Sequence, residues 1–190
     1  MEQQNAIRIE LPAWIDDVLA AHETSGLDDT GRMAMVLDLA RANIRAGTGG
    51  GPFSAAIFER RSGRLVAAGV NQVIASCCSI AHAEMVAIGV AQQRRGHFDL
   101  RQAVPGGCVL FSSAEPCAMC MGAIPWAGID RVVIGARDSD VRAIGFDEGH
   151  KPADWIAGYV QRGIEVTRDL LRAESAQILR DYAQAGGAIY

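Results

Sequence analysis

Two cysteines, Cys117 and Cys120, follow Pro116 three residues apart, and upstream stands Ala81-His82-Ala83-Glu84. A Cys-x-x-Cys pair alone reads as a redox couple, half a zinc site or coincidence. With His82 it supplies the three protein ligands of a catalytic zinc, which leaves one coordination position for water. Cysteines at i and i+3 project from one side of a first helical turn. Both motifs begin predicted helices, and helix N-termini favour thiolates. Two thiolates nearly cancel the charge of Zn2+ and weaken it as a Lewis acid, so a base beside the metal gains value. Glu84 lies two residues from His82 and so need not be a ligand itself. It can take a proton from a water whose pKa the metal lowers toward about 7, and return it to the reacting group. A closed structural zinc site would need a fourth ligand. The spare candidates Cys77, Cys108, His97 and His150 stand at no usual ligand spacing from the pair.

These residues need elements to hold them. An early helix opens at Leu11-Pro12-Ala13-Trp14-Ile15 and runs to about Ala20, with Asp16 and Asp17 in its first turns. Glu23-Thr24-Ser25-Gly26 breaks it. Met33, Val36, Leu37, Ala40 and Ile44 form an apolar stripe at helical spacing, ending near Gly47. After the cluster Gly49-Gly50-Gly51-Pro52, residues 53–58 and 65–70 read as paired strands around the basic turn 60–64. That turn is a solvated loop tip. Residues 71–79 read as loop, 81–93 as the helix carrying His82 and Glu84, and 109–111 as a third strand. Residues 117–126 form the helix carrying the cysteines, 131–135 a fourth strand and 138–152 a loop. Trp155, Ile156, Tyr159 and Val160 mark a helix, 164–166 a fifth strand, and Leu171, Ile178, Leu179 and Tyr182 the last helix. This order implies a three-layer α/β/α domain with a mixed sheet of about five strands. The expected organisation is one domain over 1–190, with 1–30 as an accessory segment.

Bulk properties narrow the setting. The chain has 190 residues, 49% apolar and 21% charged, with formal net charge −4. A polyanionic partner would need a local basic patch against that balance, so no nucleic acid is expected. No run of about 18 apolar residues exists, so no membrane span is expected. Five cysteines, an odd number, and an N-terminus without the pattern of an export signal point to a reducing, cytoplasmic compartment.

The ordered set His-x-Glu, spacer, Pro-Cys-x-x-Cys is the zinc deaminase signature. Beyond it, the chain resembles the bacterial guanine deaminases of the cytidine deaminase-like fold over most of 32–190. The resemblance rests on Gly50-Gly51-Pro52-Phe53, Asn71, Ala81-His82-Ala83-Glu84, the run from Glu115 through Ile124, Trp126-Ala127, Gly145-Phe146-Asp147-Glu148 and the terminal Tyr190. It implies hydrolysis of guanine to xanthine and ammonia, with one Zn2+ per chain on His82, Cys117 and Cys120 and Glu84 as general acid/base. It implies a second catalytic carboxylate at Glu148, with Asp147 binding substrate or holding the loop. It implies Asn71 reading the purine edge, Phe53 and Trp126 lining the pocket, and Tyr190 closing it. A homodimer, with C-terminal segments exchanged, is implied as well. The front thirty residues and the apolar tail Gly186-Gly187-Ala188-Ile189-Tyr190 depart from the family pattern.

Read without that resemblance, the same residues are plainer. Residues 145–149 are a surface loop, Phe53 and Trp126 core aromatics, Asn71 a turn residue and Tyr190 a frayed terminus. His22, His97 and His150 look exposed and carry no role. Three rivals compete with guanine deamination. A tRNA adenosine deaminase would suit the run from Ile129 through Asp138, but RNA calls for phosphate-neutralising charge that this acidic chain lacks. An aminotriazine such as ammeline presents an amino-carbon beside ring nitrogens, much as guanine does. A structural zinc or partner-binding protein would have no use for an acid at position 84.

Overall fold

The computed structural model describes residues 6–22, 26–47 and 49–190. Of the break expected at residues 23–26, residues 23–25 lie outside them, and Gly26 has a positive φ of 84°.

A five-stranded sheet in the order β2-β1-β3-β4-β5 runs through the centre. Its strands are β1 Ser54–Glu59, β2 Leu65–Val70, β3 Cys108–Ala114, β4 Arg131–Ala136 and β5 Glu165–Thr167. β1 is antiparallel to β2 and β3, while β3, β4 and β5 are mutually parallel. The sheet is therefore mixed, as expected. Helices are α1 Trp14–Ala21, α2 Asp29–Arg45, α3 Val73–Ser76, α4 Ala83–Arg95, α5 Leu100–Ala103, α6 Ala118–Trp126, α7 Asp138–Arg142, α8 Trp155–Gln161 and α9 Arg172–Gln184. None of the helices is long and apolar enough to cross a membrane among the described residues.

The three layers follow from the period of two along each strand. Ala55, Ile57, Leu110, Val132 and Ile134 face a core with Ala87, Ala91, Ile124 and Tyr159, from α4, α6 and α8. Ala56, Phe58, Val109, Phe111 and Val133 face the other, with Met33, Leu37, Ala40 and Ile178, from α2 and α9. Each fully buried Leu, Ile, Val or Phe adds roughly 1.5–3 kcal/mol of transfer free energy. Ile15 of α1 is buried against α2 in the second of these cores.

Small residues draw α4 close to the sheet. Its face toward β2 carries Ala83, Ala87 and Ala91, and opposite stands Gly69. A β-carbon at 69 would run into the Ala83 carbonyl and the Ala87 backbone nitrogen. This close approach fixes the height of the helix whose first turn holds His82 and Glu84.

Three short helices were not legible in the sequence. α3 and α5 have four residues each and α7 has five, too short for a helical period to show. α3 occupies part of the expected loop 71–79 and α7 the start of the expected loop 138–152. α7 is capped by Asp140, whose carboxylate accepts from the Arg137 backbone N–H at 2.8 Å. The basic turn after β1 is neutralised by carboxylates: Arg64 pairs with Glu59 at 2.7 Å and Arg60 with Glu165 at 2.5 Å. His150 is exposed, as expected. His22 and His97 are instead half-buried, bonded to Asp38 and to the backbone of Asp99.

Candidate metal centre and cavity

The parallel strands end toward one edge, where ligand sites form in open α/β sheets. β3 runs out at Ala114, and Glu115-Pro116-Cys117 leads into α6. Cys117 is the N-cap of α6 and His82 the N-cap of α4. Two helix N-termini thus converge, each presenting first-turn backbone N–H groups without an intrahelical partner and a positive dipole end.

One ligand atom each from His82, Cys117 and Cys120 lies within 4.8 Å of the others. The Cys117 sulfur is 3.5 Å from His82 Nδ1. No other cluster of three or more metal-capable side chains is this close among the described residues. Cys108 is buried at the far end of β3, and burial pushes its thiol up to about 11. Cys77 is exposed and Cys78 half-buried at the far side of α3.

The electrostatics fit a dication. Cys117 is held down to about 4, chiefly by the thiol of Cys120 and then, against burial, by His82. That hydrogen bond and burial push Cys120 upward in turn. His82 is raised, first by its contact with Cys117. The two thiols are thus pushed in opposite directions by their mutual contact. A cation bonded to both sulfurs removes that conflict. The soft sulfur pair with one imidazole is a zinc donor set.

Glu84 lies beside the triad and is 7% exposed. Its Oε1 accepts from the Ser112 hydroxyl at 3.3 Å, and its Oε2 is 3.5 Å from the Cys120 sulfur. Burial raises its pKa, which suits a group that must both accept and return a proton.

Above the triad opens a cavity of about 270 Å³. Phe53, Asn71, Glu84, Phe146, Glu148 and Tyr190 are among its walls. A larger groove of about 590 Å³ between residues 6–10 and α3 has no such chemistry around it, so size does not mark the site. Phe53 and Phe146 meet edge to face with centroids 5.0 Å apart. Asn71 is 2% exposed and held by its own backbone: its carbonyl accepts from the Asn43 amide at 3.0 Å. The same Asn43 amide donates to the Gly51 carbonyl at 2.9 Å, and a β-carbon at Gly50 would collide with Asn43. That accounts locally for Gly50. The Tyr190 hydroxyl donates to Asn71 Oδ1 at 2.5 Å, and its ring stands edge-on to Phe146. The glycine-containing tail is docked on its own chain.

Glu148 is 7% exposed, and burial pushes its carboxyl up to about 8. Its Oε2 has no hydrogen-bond partner among the described residues. Asp147 also borders the cavity, but its side chain is 86% exposed and accepts from the Gly149 backbone N–H at 2.9 Å. It shapes the loop.

One expected residue lies elsewhere. Trp126 is 79% exposed and borders a different groove, with Trp155 and Tyr159. At about 100° per residue it points roughly 120° away from Cys120 around α6, so the turn that aims the ligand inward aims the indole outward. Phe146, Ser112 and Glu115, which sequence reasoning named no role for, border the cavity instead. Phe146 could have been found as the aromatic inside Gly-Phe-Asp-Glu. Nothing local marks Ser112.

A sequence profile for the cytidine and deoxycytidylate deaminase zinc-binding region matches residues 28–136. The chain is 40% identical over 110 residues to a guanine deaminase of Bacillus subtilis, a match covering 58% of this chain and 65% of that protein, just under two thirds of its length. Among solved structures, a guanine deaminase from Nitrosomonas europaea superposes with a TM-score of 0.87 at 43% identity, covering 97% of this chain and 100% of the other. A structure in complex with 2,6-diaminopurine superposes with a TM-score of 0.88 at 45% identity, covering 99% and 98%.

Proposed function

The chain belongs to the cytidine and deoxycytidylate deaminase zinc-binding family, and from that premise we propose that it hydrolyses guanine to xanthine and ammonia. One observation carries the reading: a buried base, Glu84, stands beside a three-ligand cluster and shares one cavity with a second buried carboxylate, Glu148. The likeness to guanine deaminases over nearly the whole chain supports the choice of ring.

His82, Cys117 and Cys120 would hold one zinc ion per chain. Bound there, zinc supplies Lewis-acid activation of water, lowering its pKa toward about 7. Glu84 accepts the proton released as water oxygen bonds to the amino-bearing ring carbon. It passes that proton to the adjacent ring nitrogen, and the carbon becomes tetrahedral. The carbon–nitrogen bond then breaks as the hydroxyl of the tetrahedral carbon gives up its proton and becomes the product carbonyl, that proton being relayed by a carboxylate to the amino group, which leaves as ammonia. Glu148, with no hydrogen bond on Oε2 among the described residues, is assigned to the substrate's far edge as a proton carrier for the departing amine. The Asn71 amide reads the ring edge through its Nδ2 donors, its Oδ1 already accepting from the Tyr190 hydroxyl and the Val73 backbone N–H. Phe53 and Phe146 receive the flat face, and Tyr190 closes the mouth.

We also propose a homodimer, its tails docked in cis or exchanged between copies. Exposed Trp126 and Val160 on the α6–α8 face support an interface there. Residues 1–30 are assigned as an accessory segment of one deaminase domain over 1–190, supported by the packing of Ile15 against α2. A cytoplasmic setting suits the thiolate ligands.

The test is ammonia release from guanine, ammeline, cytosine, adenine, guanosine and tRNA. Guanine should lead the panel, with ammeline the second ring to watch. Turnover of cytosine or tRNA with none of guanine would overturn the assignment. Sedimentation should give twice the chain mass if the dimer holds.

A further inference from the structure

We propose that Lys151 is a positioning residue that fixes the Cys117 loop and the Glu148 carboxylate relative to each other. Of the chain's 18 basic residues, Lys151 alone is lysine. Its side chain is 8% exposed. A buried cation persists only where charge and hydrogen bonds compensate it, and here four acceptors converge on the ammonium. Glu115 Oε1 and the Pro116 carbonyl oxygen each lie at 3.2 Å, Asp138 Oδ1 at 2.6 Å and Glu148 Oε2 at 3.7 Å.

An ammonium has three N–H donors and no acceptor. Hydrogen-bond geometry is met at Glu115 and at the Pro116 carbonyl, Asp138 Oδ1 is an ion-pair contact, and at the longest distance stands Glu148 Oε2, also without a hydrogen bond among the described residues. It is therefore held by charge at a distance, and its Oε2 stays uncommitted toward the cavity. The nearer three tie together what must stay in register. Pro116 is the residue before the ligand Cys117. Glu115 is gripped from the other side by Arg168 at 2.8 Å. Asp138 is shared with Arg142 at 2.8 Å, and Arg142 also donates to the Gly149 carbonyl, next to Glu148, at 2.6 Å. The Ala118 backbone N–H donates to the Glu148 carbonyl at 3.0 Å. A compact ammonium can serve carbonyl and carboxylate oxygens arriving from three directions. A guanidinium spreads its donors in one plane, as Arg142 does toward Asp138 and the Gly149 carbonyl.

The inference rests on the proposed deamination for its kinetic readout only. The test uses the full chain with Lys151→Met and Lys151→Arg, loaded with zinc and, separately, with Co2+. Lys151→Met should keep about one metal per chain and lower kcat for guanine on the order of 100-fold, as misplacement by about 1 Å does. KM should stay within about 3-fold, because uniform binding is untouched. The cobalt–thiolate absorption bands of the Cys117 and Cys120 site should shift, and Lys151→Arg should recover part of both effects. Unchanged kcat and unmoved bands in a folded Lys151→Met would overturn the proposal. So would loss of metal and thermal stability in step with activity, which reduces Lys151 to a structural tie. If the wild-type chain proves inert toward guanine, the functional reading falls and the cobalt bands alone decide the positioning role. Should Lys151→Met fail to fold, 15N-lysine labelling of the wild-type chain gives one side-chain signal. A slowly exchanging ammonium signal that moves in Glu148→Gln is expected. A fast-exchanging signal, unmoved by that change, would overturn the proposal.

Discussion

The floor of the cavity comes from two helix starts. His82 caps α4 and Cys117 caps α6, with Glu84 and Cys120 in the first turns that follow. The rim comes from segments far apart in the chain: Phe53, Asn71, the 146–148 loop and Tyr190. The floor is set by helix geometry packed on a buried sheet. The rim is set by single side-chain bonds, such as Tyr190 to Asn71 across 119 positions of sequence. The metal-capable triad and Glu84 thus sit at helix starts packed on the sheet, and the rim on segments joined by single side-chain contacts.

If that division holds, floor substitutions should cost kcat and rim substitutions should cost KM. The largest effect is expected from Glu84→Gln. It should keep zinc, measured by metal analysis, and lower kcat on the order of 10⁴-fold. Persistent ammonia release would remove Glu84 from its role. Glu148→Ala comes next, with kcat lower by about 10²-fold at full zinc occupancy. An effect on KM alone would move Glu148 to the substrate-holding rim. Tyr190→Phe removes one hydrogen bond and should raise KM for guanine by about 5-fold with kcat nearly unchanged. A loss as deep as that of Glu84→Gln would break the comparison outright. The smallest effect on turnover belongs to Glu59→Gln, at the end of β1 away from the site. Ser62, then Arg64 and Arg95, hold the Glu59 carboxyl down to about 2. A depressed carboxylate contributes stability that is complete above its unfolded pKa of about 4.5 and is lost as pH falls through about 2. Glu59→Gln should therefore flatten the acid limb of the stability-versus-pH curve, read by thermal melts, and leave kcat unchanged.

The same division explains what could be read before the fold was known. The candidate ligands and base stand in two short stretches, His82 to Glu84 (three residues) and Cys117 to Cys120 (four), and helix periodicity aims them. The sheet was legible too, because short continuous apolar runs such as residues 55–58 and 132–136 bounded by turn signals mark buried strands. The rim residues meet only through tertiary contacts, which no local pattern encodes; they were reachable only through family resemblance. Resemblance also put Trp126 in the pocket, where the rotation of α6 turns it to solvent. Lys151 escaped notice because a lysine in a polar loop reads as solvated, and the carboxylates that bury it come from positions 115, 138 and 148.

Gly69 carries the floor's rigidity into mutational tolerance. It touches none of the reacting groups, yet a single added methyl there would press on the backbone of α4 at Ala83 and Ala87. In a saturation map scored for activity, position 69 should reject every replacement, alanine included, while neighbouring surface positions accept most. Distance from the chemistry would be a poor guide to such a map. The better guide would be which atoms of β2 the backbone of α4 already touches.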